Sequence, residues 1–133
     1  MSVRQRTAVR ETYAADPASV TRARRVAMEV ARGSGLGRAG CADVALAVSE
    51  ACTNVVLHAF RDNRHAPPEF VLEAWPVDDG VRVVVADQGQ GMGPNPDSPG
   101  LGLGLAVIAR VAESCEVRRA RPTGTELRLT FRA

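Results

Sequence analysis

The stretch ALAVSEACTNVVLHAF, residues 45–60, decides how this chain is read. An α-helix turns about 100° per residue, so Asp43, Glu50, Asn54, His58 and Arg61 fall in one narrow stripe. Val44, Val48, Ala51, Cys52, Val55 and Val56 fill a wide arc elsewhere. Both shoulders of the stripe are apolar: Leu46 and Leu57 on one side, Ala47 and Ala51 on the other. A polar stripe on an amphipathic helix ordinarily faces water. A narrow one between apolar shoulders suits a ligand cleft. There Glu50 can accept a proton and Asn54 can give a metal its side-chain oxygen. The spacing predicts a helix from about Cys41 to Phe60.

Upstream, residues 1–15 alternate weakly, as an edge strand would. Asp16-Pro17 then reads as an N-cap followed by proline at the first helical position. Val20, Ala23, Ala27, Val30 and Ala31 recur at helical spacing, and Gly33, Gly35 and Gly37 end that helix. Downstream, RDNRHAPP reads as a loop. Phe70, Leu72 and Ala74 alternate with Val71, Glu73 and Trp75, and Asp79-Gly80 signals a hairpin. Val81–Ala86 is nearly all apolar, as in a central strand buried on both faces.

The run VVVADQGQGMG, residues 83–93, is a second constellation. Asp87 ends the apolar strand, where a carboxylate can accept a hydrogen bond from a ligand amine. Gly89 and Gly91 would let a flat ring approach the backbone. The same pattern serves an ordinary Asp-initiated turn. A long loop rich in glycine and proline continues to residue 100, and loops of this length in a compact domain are usually functional. A third helix is expected over LGLGLAVIARVAES. Gly100, Gly102 and Gly104 open it, where free N–H groups and the helix dipole make an anion site suited to phosphates. Close helix packing would also call for glycines there. The spacing is not a dinucleotide fingerprint, because the helix follows a loop and no acidic ribose reader follows a second strand. CEVRRAR and TELRLTF are two strands around Pro122-Thr123-Gly124. Thr125, Leu127, Leu129 and Phe131 face one way, and Glu126, Arg128 and Thr130 the other.

Two hairpins argue for a mixed, mostly antiparallel sheet, with the helices on one face. That is a two-layer α/β sandwich. No internal repeat or linker divides the chain, so residues 1–133 are expected to form a single domain.

Composition sets outer bounds. All 17 basic residues are arginine. Without lysine there can be no Walker-type P-loop, no eukaryotic-type kinase strand lysine and no Schiff base. Aromatic residues make up 4% of the chain, so Val, Leu and Ala must fill the core. A net charge of +2 gives no reason to expect nucleic acid as a partner. Cys41, Cys52 and Cys115 are widely spaced and form neither a disulfide framework nor a zinc site. They read as core thiols in a reducing compartment. With no signal-like N-terminus and no apolar run of spanning length, a soluble cytoplasmic protein without a membrane partner is expected.

Taken together and in order, these segments resemble the stand-alone anti-sigma-factor serine kinases of bacteria. That family belongs to the ATPase superfamily of histidine-kinase catalytic domains, gyrase B and heat-shock ATPase chaperones (the Bergerat, or GHKL, fold). ALAVSEACTNVVLHAF is similar to the N-box, VVVADQGQGMG to the first glycine box, GLGLGLAVIARVAE to the second, and GTELRLTF to the closing Gly-Thr strand. The resemblance covers essentially the whole chain after Asp16.

The resemblance implies ATP and Mg²⁺ as ligands. It casts Glu50 as the general base on an acceptor hydroxyl, Asn54 as the Mg²⁺ ligand and His58 as a group near the phosphates. Asp87 would accept the adenine amino group, with Gly89 and Gly91 on the pocket floor and Thr125 in support. Gly100, Gly102 and Gly104 would cradle phosphates. The implied partners are a sigma factor held inactive, a phosphorylated anti-anti-sigma protein and a second copy of the chain. In one departure from the family, MGPNPDSPG lacks the arginine that many relatives carry before the second glycine box. A side-chain cation at the phosphates must then be His58, or an arginine from elsewhere in the domain or from a partner. Two other readings stay open: a nucleotide-binding module that captures a partner without phosphoryl transfer, and a catalytic fragment of a sensor histidine kinase. The second is disfavoured, since no dimerisation helix is present and His65 lies in a proline-flanked loop.

Overall fold

The alternation of apolar and polar residues in the strands is realised as a five-stranded sheet covered on one face by helices. The computed structural model describes residues 8–59, 68–87, 99–119 and 124–133. Their order is β1 (Val9–Ala14), α1 (Pro17–Gly33), α2 (Arg38–Asn54), a π-helical turn (Val55–Ala59), β2 (Glu69–Val77), β3 (Gly80–Asp87), α3 (Pro99–Val111), β4 (Ser114–Arg119) and β5 (Thr125–Arg132). The sheet order is β1-β2-β3-β5-β4. The expected edge strand is present as β1, and β3 is central.

Every described strand pair is antiparallel, so the mixed sheet of the sequence reading is not seen among the described residues. The reason is topological. α3 links β3 to β4, which run in the same direction, but β5 lies between them and pairs with both. The two-layer α/β arrangement holds.

Local chemistry explains the helix boundaries. The Asp16 carboxylate accepts the Ser19 N–H at 2.9 Å and caps α1, with Pro17 at its first position. Beyond α1, Gly35 takes φ +93°, and the Leu36 N–H reaches back to the Ala31 carbonyl at 3.2 Å. That left-handed step suits glycine. α2 starts at Arg38, earlier than the expected Cys41, and its N-cap Gly37 offers no side chain. The expected continuous helix to Phe60 is also corrected: the α-helical ladder stops at Asn54 and gives way to the wider π turn.

The core lies between the sheet and α1–α2. Val44, Val48, Ala51, Cys52 and Val55 of the α2 segment are fully buried, as are Leu72, Val83, Val85, Leu127 and Leu129 from the sheet. Ala23, Ala27, Ala31, Ala47 and Ala51 have no exposed surface and let α1 and α2 pack closely. This is how a chain poor in aromatics fills its interior. Residues 38–57, with mean hydropathy 1.3, are long and apolar enough to cross a membrane, contrary to the sequence reading. Of that stretch 44% is buried inside the domain, where Val44, Ala47, Val48, Ala51, Cys52 and Val55 join the core.

The expected burial of β3 on both faces holds in part. Val81, Val83 and Val85 are covered by the helices; on the outer face Val84 is buried, while Arg82 and Ala86 are half-buried. That outer face carries charge pairs: Arg10–Glu73 at 3.5 Å, Arg118–Glu116 at 3.6 Å and Arg128–Glu126 at 2.9 Å. Partly exposed pairs of this kind contribute little stability. The β2–β3 hairpin turns on Asp78 and Asp79, with Asp79 at φ 62°, and Gly80 is already in the strand. A Cβ on Gly80 would overlap the Phe131 carbonyl oxygen of β5. Glycine is therefore needed there for close strand approach.

Candidate functional site

Antiparallel register places the predicted base readers side by side. Asp87, the last residue of β3, pairs directly with Thr125, the first of β5. Opposed residues in an antiparallel pair share a face. The same row continues through Phe70 and Tyr13 on one side and Arg119 on the other. Asp87 and Thr125 are each 3% exposed. A carboxylate and a hydroxyl held side by side at the end of a largely apolar face offer a polar ligand edge both an acceptor and a donor.

The row is tied to α2 by its aromatic end. The Tyr13 ring stacks on Phe70 at 5.4 Å, and its hydroxyl donates to Glu11 Oε1 at 3.2 Å. Burial and then the Glu11 charge push the Tyr13 pKa up to about 12. Cys52 lies close enough to interact with Tyr13 electrostatically, and burial pushes its own thiol up to about 12. Cys52, two residues before Asn54, thus lies near the Tyr13 end of the row that also carries Asp87. Cys41 and Cys52 are buried and Cys115 half-buried, all as free thiols.

On α2, Glu50 is half-buried and Asn54, one turn later, is 4% exposed. Asn54 Nδ2 is buried and finds no hydrogen-bond partner among the described residues. The stripe is not flanked as its sequence suggested. Ala47 and Ala51 are buried, but Leu46 and Leu57 are 43% and 61% exposed. Glu50 and Asn54 therefore sit on the border between the core and an open surface. The backbone at His58 belongs to the π turn, a form frequent at functional sites.

Gly100, Gly102 and Gly104 lie within α3, which begins at Pro99 and packs on α2. Only the first residues of a helix have free N–H groups. Gly100 is among them. Gly104 lies more than a turn in, where the ladder uses its N–H, so it can offer close approach rather than an amide. Gly89, Gly91 and Arg61 fall outside the described residues. Among the described residues, no group of three or more His, Cys, Asp or Glu could hold a metal. A single amide oxygen at a helix end nevertheless fits Mg²⁺, which commonly takes one or two protein ligands and fills its shell with phosphate and water.

A family profile described as the histidine kinase-like ATPase domain matches residues 13–131. The chain belongs to that family. The histidine kinase-like ATPase domain carries ATP binding as its family property, and its fold is shared with a solved structure. The RsbU and RsbW domains of Rv1364c from Mycobacterium tuberculosis match it with a TM-score of 0.71 and 24% identity, over 95% of this chain and 32% of that one. This domain therefore spans about a third of that chain's length. No curated protein matches it.

Of the row through Tyr13, Phe70, Asp87 and Thr125, motifs single out only Asp87 and Thr125. By sequence Tyr13 and Phe70 are ordinary strand residues, and only the pairing of β1 with β2 and β2 with β3 puts them in line with Asp87.

Proposed function

We propose that this domain binds MgATP and transfers the γ-phosphate to a serine or threonine hydroxyl of an anti-anti-sigma protein, and that it also holds a sigma factor inactive. Asp87, supported by Thr125, accepts the adenine amino group. Gly89 and Gly91 shape the floor beneath the ring, and Gly100, Gly102 and Gly104 border the phosphates, with His58 near them. Mg²⁺ would neutralise phosphate charge and would be held by the Asn54 side-chain oxygen.

Glu50 takes the proton of the acceptor hydroxyl as its oxygen bonds to the γ-phosphorus and the bond to the leaving ADP oxygen breaks. Most catalysis in such transfers is positioning and electrostatic stabilisation. Fixing Glu50 and Asn54 one turn apart on a helix anchored in the core supplies that positioning. Two copies of the chain form the working unit, in the cytoplasm.

The reading rests above all on one observation. The family match spans residues 13–131, and within it Asp87 and Thr125 are buried and directly paired across β3 and β5, while Asn54 is buried at the end of α2. The neighbour whose name includes an RsbW domain supports the same direction. The test measures MgATP binding and γ-phosphate transfer to a candidate anti-anti-sigma protein for wild type and Glu50→Ala. The mutant should bind ATP and transfer poorly. Wild-type protein that binds ATP and phosphorylates no such partner would make this a binding module.

A further inference from the structure

We infer that Arg119 is a further nucleotide-binding residue, whose guanidinium covers the adenine ring. The inference rests on the ATP-binding reading of the Asp87 site. Arg119 is the last residue of β4 and pairs directly with Thr125, which pairs directly with Asp87. All three therefore lie on the same face, in one row at one end of the sheet, with Asp87 and Thr125 buried and Arg119 exposed beside them. Neighbouring strands are about 4.8 Å apart, which puts the Arg119 backbone roughly 10 Å from that of Asp87. A long side chain crosses that gap. An adenine held at its amino group by Asp87 and reaching Thr125 lies between them.

Strand alternation gives the argument an internal control. Arg118 points to the opposite, outer face and is occupied there, with Nη2 3.6 Å from Glu116 Oε2. Arg119 is exposed and makes no ion pair or side-chain hydrogen bond among the described residues. Two adjacent arginines thus differ in face and engagement, and only one shares the row of the base readers.

The row also says which part of the nucleotide Arg119 meets. The phosphate-directed residues belong to other elements, Asn54 to the end of α2 and Gly100 to the start of α3. Arg119 stands with the residues directed at the base. A guanidinium plane stacks well on a purine face, through cation–π attraction that needs no fixed hydrogen-bond pattern. The chain has no lysine, and arginine is the cation whose flat shape suits this contact.

The experiment titrates the full chain with AMP, ADP and MgATP, comparing wild type with Arg119→Ala, Arg119→Lys and Arg118→Ala. Arg119→Ala should weaken all three by the same factor, about five- to twentyfold. Arg119→Lys should recover only part of the loss, because it restores charge without the plane. Arg118→Ala should bind like wild type. Three results would overturn the assignment: unchanged binding by Arg119→Ala, a loss that grows from AMP to ATP, or an equal loss in Arg118→Ala. Wild-type protein that binds none of the three would instead refute the nucleotide reading on which the assignment depends.

Discussion

Replacing Asn54 by leucine should make the ligand-free protein more stable while removing its Mg²⁺-dependent nucleotide binding. The Asn54 side chain is 4% exposed, and its Nδ2 has no hydrogen-bond partner among the described residues. A buried donor left unpaired costs about 1–3 kcal/mol. Leucine matches asparagine in heavy-atom count and branching, so the exchange removes that cost without opening a cavity. Unfolding entropy near the melting temperature is about 2.1 cal/mol/K per residue. For 133 residues that is about 0.28 kcal/mol/K. A gain of about 1–2 kcal/mol therefore raises Tm by about 4–7 °C. The assay is thermal unfolding in EDTA, repeated with MgATP. Wild type should gain about 2.7 kcal/mol of stability at a hundredfold excess over its dissociation constant. The mutant should start higher and gain much less. An apo mutant that melts below wild type would show that the Asn54 amide is structurally engaged, and would refute the argument that it is held for a ligand.

Further outcomes follow from the sheet. Gly80→Ala should cost about 2 kcal/mol or more in urea unfolding, because its Cβ would overlap the Phe131 carbonyl oxygen and force β3 and β5 apart. Stability should also fall as pH rises from about 10 to about 12. Over that range the Tyr13 phenol ionises in the unfolded chain, while the folded protein keeps it protonated up to about 12. Below pH 10 the contribution is complete. Cys52 adds a fall of the same sign from about pH 9. Tyr13→Phe should flatten the upper part of the curve in urea melts between pH 9 and 12, and an unchanged slope would contradict the burial assigned to Tyr13.

Much of this architecture could be read from local pattern. The period-two alternation in Phe70, Leu72 and Ala74, and in Leu127, Leu129 and Phe131, survives as the buried face of the sheet. The Asp16-Pro17 start of α1 is a local chemical signal and holds. What local pattern does not carry depends on distant partners. That β5 inserts between β3 and β4 is a choice among strand pairings far apart in sequence, and it made the sheet wholly antiparallel among the described residues. The exposure of Leu46 and Leu57 depends on where the neighbouring elements stop, which helical spacing does not encode. The π turn after Asn54 has no sequence signature, since VVLHA continues the α-helical period smoothly.

For the site, motif residues and their chain order were legible, while the row joining them was not. Asp87 and Thr125 are 38 positions apart and meet only through register. Arg119 could not be told from Arg118 by sequence, because one residue of strand shift exchanges their faces.

The central claim is that a buried carboxylate at the end of β3 reads the base of a bound adenine nucleotide. The most direct measurement is ATP affinity by calorimetry for wild type and Asp87→Asn, with circular dichroism confirming that both are folded. Asparagine keeps the shape but replaces one acceptor oxygen with a donor, leaving the adenine amino group badly matched. Affinity should fall about ten- to a hundredfold. Equal affinity in a folded mutant would contradict the account.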